Sequence, residues 1–136
     1  MDNREAAIRV PSTSWGEIAE SLRIEVRCAD HSANPYLALG ALLAAGLDGI
    51  QRGLEPGAPL AVDPGALSEE ERRRCGIERL PTTLSEALMA LERDEVLTAA
   101  LGPLLSASYL AVKRQEVAFC QDRTPQDIAA LYFEKY

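Results

Sequence analysis

Arg23, Glu25 and Arg27 occupy alternate positions of one short segment, Leu22 to Cys28. On an extended chain alternate side chains share a face, so the three form a row with roughly 7 Å between neighbours. A carboxylate flanked by guanidinium groups suits a metal bound to phosphate. The carboxylate takes a hard cation such as Mg2+. The arginines take phosphate or carboxylate oxygens in bidentate fashion. Arg4 and Arg9 precede the row, and with Arg52 they make every basic residue before position 60 an arginine. That bias fits rigid oxyanion recognition. The plainer reading of an R-E-R alternation is a solvated strand face with weak ion pairs. Pattern alone leaves both open.

Other reactive side chains carry less. His31 follows Asp30, but it reads as a loop residue ahead of a helix cap. Cys28, Cys75 and Cys120 are far apart and odd in number, and with one histidine there is no zinc-type spacing. Reduced, buried thiols are the expectation, with Cys28 on the apolar face of its strand. Arg72, Arg73 and Arg74 follow Glu69, Glu70 and Glu71 and read as a self-paired, solvated helix face. Trp15 reads as a partly buried loop residue.

The elements that must position the row are two strands. Ala6 to Pro11 is short and β-branched. Leu22 to Cys28 alternates, with Leu22, Ile24, Val26 and Cys28 opposite the charged row. The rest reads as helices. Asn34 is an N-cap with Pro35 at the first helical position, and this helix runs to about Gln51 with Gly53 beyond it. It is apolar almost all round, which predicts burial. Leu54 to Ala66 is a Pro/Gly-rich crossing. Three capping boxes then mark helix starts: Ser68 with Glu71, Thr83 with Glu86, and Thr124 with Asp127. The second of these helices carries Leu84, Leu88 and Leu91. A break near Arg93-Asp94 precedes a turn at Val96 to Leu101. A long helix from Pro103 to about Gln121 buries Leu105, Tyr109, Val112 and Phe119. The last helix buries Ile128, Leu131 and Tyr132. The expected class is α+β, predominantly helical: an antiparallel β-hairpin within residues 1–30, then about five helices over 31–136. Two strands alone make a poor sheet with unpaired edges, so the rest of a sheet belongs elsewhere.

The chain has 136 residues, enough for one domain, and 47% of them are hydrophobic, enough for a core. A net charge of -7 argues against nucleic acid or an anionic membrane as the main partner. No secretory signal is visible, and the apolar stretch from Tyr36 to Leu47 is too short to cross a bilayer. A cytoplasmic location is the expectation.

The run from Arg23 to Ile50, RIEVRCADHSANPYLALGALLAAGLDGI, is similar to a stretch typical of the glutamine synthetase family. Asn3 to Pro11 resembles that family's N-R-x-x-x-I-R-[IV]-P strand, and Asp127 to Tyr136 resembles its closing helix. The resemblance covers essentially the whole chain, strongly over residues 3–50 and loosely over 54–126. It places the chain in the C-terminal part of the catalytic domain.

The resemblance implies roles. Glu25 matches a carboxylate ligand to a divalent cation beside ATP. Arg27 matches an arginine that contacts glutamate and the transferring phosphoryl group. Arg4 matches an arginine shared between glutamate and the ATP phosphates, and Arg9 and Arg23 match positions near those phosphates. In the complete enzyme the implied cofactors are ATP with Mg2+ or Mn2+, and the substrates are glutamate and ammonia or an amine. Such ligases also form oligomers. The resemblance puts the other metal carboxylates, a metal-binding histidine and most of the sheet upstream of the N-R motif. The expectation is a truncation, split-gene product or fragment that binds no cofactor alone and is inactive alone. Its partner is then a missing N-terminal half or another copy, met through the strand edge. The alternative is a non-catalytic interaction module or remnant. Two departures stand out. Glu20 lies where many members have a lysine facing the nucleotide. Val62 to Leu67 lacks the tyrosine that some bacterial members adenylylate.

Overall fold

A computed structural model describes residues 3–12 and 21–135; Trp15 and Glu20 lie outside them. The fold is α+β and mostly helical, with one two-stranded antiparallel sheet and five α-helices among the described residues. The chain forms two compact units.

The first unit comprises Met1–His31 with Glu55–Arg79. It contains β1 (Ile8–Arg9) and β2 (Glu25–Val26), paired antiparallel with Ile8 opposite Val26 and Arg9 opposite Glu25. The ladder is shorter than the alternation in the sequence predicts. Alternation records which side chains share a face; ladder length depends on available backbone partners. The apolar face also differs from expectation. Ile8, Leu22 and Ile24 are exposed, as is Cys28, because no described layer covers that side. A 3-10 turn (Pro64–Ala66) follows, opened by Asp63 accepting from the Gly65 amide at 2.7 Å. The six-residue α2 (Glu69–Arg74) begins at a complete capping box between Ser68 and Glu71. Its arginines face solvent, except that Arg72 donates to the Leu67 carbonyl at 2.6 Å and is half-buried.

The second unit comprises Ser32–Leu54 with Leu80–Tyr136. Its first helix, α1 (Pro35–Gln51), starts and stops where its sequence dictates. The Asn34 carboxamide accepts from the amides of Tyr36 and Leu37, and Gly53 takes a left-handed φ of 60°, which a side chain would strain. Burial is the correction. No residue of α1 is buried; Leu43 is 58% and Ile50 78% exposed. The half-buried positions include Leu37, Ala41, Ala44 and Asp48, one stripe at helical spacing, as expected of a helix packed on one side. Its packing partner is α4.

α3 (Leu84–Arg93) buries Leu88 against α4, half-buries Leu91 and leaves Leu84 at 38% exposure. Asp94 ends α3 with extended backbone and caps α4 (Glu95–Cys120) by accepting from the Leu97 amide at 2.9 Å. α4 is broken at Gly102, whose φ of 75° and ψ of 163° are not helical, directly before Pro103. The predicted turn and long helix are thus adjoining segments. The hydroxyl of buried Ser106 spans the break to the Thr98 carbonyl at 3.1 Å. By length and composition α4 could cross a bilayer; the break and the charged run Lys113, Arg114 and Glu116 argue against it. Leu105, Val112 and Phe119 are exposed rather than buried, and Tyr109 is half-buried. α5 (Pro125–Lys135) half-buries Ile128, Leu131 and Tyr132. Tyr132 donates to Glu116 of α4 at 3.3 Å, and Lys113 reaches the same carboxylate at 2.8 Å. Burial, then the nearby Glu116 charge, push the Tyr132 hydroxyl above its ordinary pKa.

Three helix starts contribute acid sensitivity to the fold. Glu71 is held below its ordinary pKa of 4.5 by hydrogen bonds from Ser68, and Glu86 by those from Thr82. Asp127 is held below 3.8 by Thr124. A carboxyl with a lowered folded pKa stabilises fully above its unfolded value and loses that contribution as pH falls through the folded one. Helicity measured by far-UV circular dichroism should therefore hold down to about pH 4.5 and decline below it.

Candidate functional site

The site is built on the antiparallel register. Because Arg9 lies directly opposite Glu25, their side chains share one face with those of Arg23 and Arg27. Arg9 donates from Nε to Glu25 Oε2 at 2.6 Å, and Arg23 donates from Nε to Oε1 at 3.3 Å. Arg27 Nη1 stands 3.9 Å from Oε2. One carboxylate is therefore met by three guanidinium groups, an excess of two positive charges. The Arg27 amide donates to the Ala7 carbonyl at 2.8 Å, which extends the strand contact beyond the ladder.

The members differ in how firmly they are held. The Arg9 side chain is only 16% exposed and Glu25 27%, whereas Arg27 is 42% and Arg23 56% exposed. Arg9 is the inner support of the carboxylate. Arg23 and Arg27 form the open side. The hydrogen bond from Arg9 is the largest influence and, with the Arg9 charge and Arg23, holds the Glu25 carboxyl below its ordinary 4.5; burial, the second influence, opposes them. Glu25 is consequently ionised at neutral pH.

Arg4 lies in the exposed turn ahead of β1 and makes no ion pair with a described residue. The structure thus gathers Arg9, Glu25, Arg23 and Arg27 into one cluster and holds Arg4 on the adjoining turn. His31 sits in an exposed turn, apart from these contacts.

The cluster can be tested against the chemistry of a cation and of an oxyanion. Both Glu25 oxygens accept from arginine, and among the described residues no group of three or more His, Cys, Asp or Glu could hold a metal. A lone carboxylate inside a net positive cluster does not by itself fit a hard divalent cation, which requires several oxygen ligands. Oxyanions fit well: the exposed guanidinium forks can exchange a weak surface ion pair for charge-assisted bonds to phosphate.

The profile of "Glutamine synthetase, catalytic domain" matches residues 1–132. The chain belongs to the glutamine synthetase family. It corresponds to a C-terminal part of the catalytic domain. Glutamine synthetase of Pyrococcus furiosus is 52% identical over 100 residues, covering 74% of this chain and 22% of that protein. Glutamine synthetase of Methanocaldococcus jannaschii is 44% identical over 114 residues, covering 84% and 24%. Gamma-glutamylpolyamine synthetase of Streptomyces coelicolor is 36% identical over 135 residues, covering 99% and 29%. The chain thus spans about a quarter of the length of the curated relatives it matches.

Charge patterning alone overlooks Asn3, because its contribution is made to backbone carbonyls distant in sequence. Position within the N-R motif is the only sequence signal for it.

Proposed function

We propose that this chain supplies one wall of the active site of an ATP-dependent glutamate–ammonia or glutamate–amine ligase, and that alone it turns nothing over. The observation that carries this reading is the register placing Arg9 opposite Glu25, with Arg23 and Arg27 on the same face. Arg27 contacts glutamate and the transferring phosphoryl group. Arg4 is shared between glutamate and the ATP phosphates, and Arg9 and Arg23 support the phosphate side. Glu25 would give one oxygen to Mg2+ or Mn2+ once phosphate supplies further oxygens, with carboxylates from outside the chain filling the set in the complete enzyme. The cation would then clamp the phosphates.

The chemistry asked of these side chains is charge neutralisation. Phosphorylation of the glutamate γ-carboxylate brings two anions together, and its transition state gathers charge on the phosphoryl oxygens. Guanidinium groups already gathered on one face stabilise that charge. Family membership and the activities for which its relatives are named support the reaction class. Relatives named for glutamine and for gamma-glutamylpolyamine synthesis leave ammonia and amines as acceptors.

The exposed apolar side chains of α1 support a need for a complementary polypeptide. They equally favour the second reading, a non-catalytic module that docks on a synthetase or on itself. Coupled phosphate release with ATP, Mg2+ and glutamate separates the two. The expected result is background alone and turnover after reconstitution with the remainder of a related catalytic domain. Turnover by the chain alone, or none from a reconstituted complex, would overturn the proposal.

A further inference from the structure

We propose that Asn3 is a positioning residue that acts through Arg4. The inference rests on the anion-binding reading above and adds a residue which that reading does not use.

Asn3 employs its whole carboxamide. Nδ2 donates to the Leu60 carbonyl at 3.1 Å and to the Val62 carbonyl at 2.9 Å. Oδ1 accepts from the Glu5 amide at 3.0 Å. Both amide protons and an oxygen lone pair are thus satisfied, so the side chain is fixed in one orientation. The first two bonds tie the start of the chain to a segment 57 and 59 residues away. The third closes a local turn around Arg4.

A second anchor lies just beyond. The Ala7 carbonyl accepts from the Arg27 amide at 2.8 Å, and Ile8 and Arg9 pair with β2. Arg4 therefore sits on a short turn held at both ends, while its own guanidinium is exposed and unpaired among the described residues. Fixing the backbone and leaving the side chain open reduces the ordering cost when an anion arrives. Without Asn3 the charge of Arg4 remains, but its Cα is held from one end only.

The test is a double-mutant cycle on the full chain, with inorganic triphosphate as the probe. Binding is followed by amide chemical shifts at low ionic strength. Arg4→Ala should weaken binding about tenfold, as expected for loss of a charge-assisted contact. Asn3→Ala should weaken it about threefold to tenfold on the same grounds. In the Arg4→Ala background, Asn3→Ala should change nothing further, because the two act as one unit. Equal weakening in both backgrounds would show that Asn3 merely supports β1 and would overturn the inference. So would loss of binding in Arg27→Ala with Asn3→Ala and Arg4→Ala both unaffected; that outcome would leave the anion-binding reading standing. No binding by the unaltered chain would overturn both.

Discussion

Replacing Arg27 with alanine in the reconstituted ligase should lower kcat about a hundredfold to a thousandfold, with a much smaller change in KM for ATP. The expectation follows from how Arg27 is held. Its backbone is fixed by the bond to Ala7, but its side chain stands 3.9 Å from Glu25 and is 42% exposed. It is the member with the least internal commitment and the most freedom to follow charge onto a transferring group. Arg27→Lys should recover only part of the loss, since it keeps the charge and loses the planar fork. Arg9→Ala should act differently. Arg9 is the principal cause of the lowered Glu25 pKa, so its removal should raise that pKa toward the ordinary value. Steady-state kinetics of the three variants checks the set. An unchanged kcat for Arg27→Ala would remove Arg27 from the phosphoryl-transfer machinery.

The second large effect concerns stability. Leu88 is the one large hydrophobic side chain that is buried among the described residues, at 5% exposure, where α3 packs on α4. Leu88→Ala should cost about 2–5 kcal/mol, the transfer free energy of the lost methyl groups plus the cavity left behind. That is a large share of the ~5–15 kcal/mol typical of a domain. Urea denaturation followed by helical signal should show a clear fall in midpoint. By contrast Val112→Ala, at a position 58% exposed, should shift it little. Equal shifts for the two would mean that Leu88 is not the seat of the core.

Local chemistry explains which parts of this fold were legible. Asn34-Pro35 and Gly53 bound α1 because capping needs only residues a few positions apart. Ser68 with Glu71 and Thr124 with Asp127 bound their helices for the same reason. At α3 the pairing is offset. Thr83 accepts from the Glu86 amide, but the Glu86 carboxylate accepts from Thr82. The helix start is unchanged because a hydroxyl and a carboxylate still satisfy nearby donors. The alternation of Arg23, Glu25 and Arg27 fixed which side chains share a face, and the register then supplied Arg9.

Burial was not legible, because it depends on what lies opposite. The apolar circumference of α1 signals a helix meant to be covered, yet Leu39, Leu43 and Leu47 remain exposed in this chain. Cys28 follows the same logic: its place on the apolar side of an alternating segment predicted burial, but no described layer covers that side. Asn3 was hidden for another reason. A carboxamide bonded to carbonyls 57 and 59 residues away leaves no periodicity or charge pattern to detect.

The cradle itself is tested most directly by following Mn2+-induced broadening of the Glu25 and Arg27 resonances, with and without inorganic triphosphate. Mn2+ alone should leave them sharp, because both carboxylate oxygens are engaged by arginine. With triphosphate present they should broaden selectively, as phosphate draws off the guanidinium groups and adds its own oxygens to the ligand set. Broadening by Mn2+ alone, or none in either condition, would contradict an arginine-guarded carboxylate that receives metal together with phosphate.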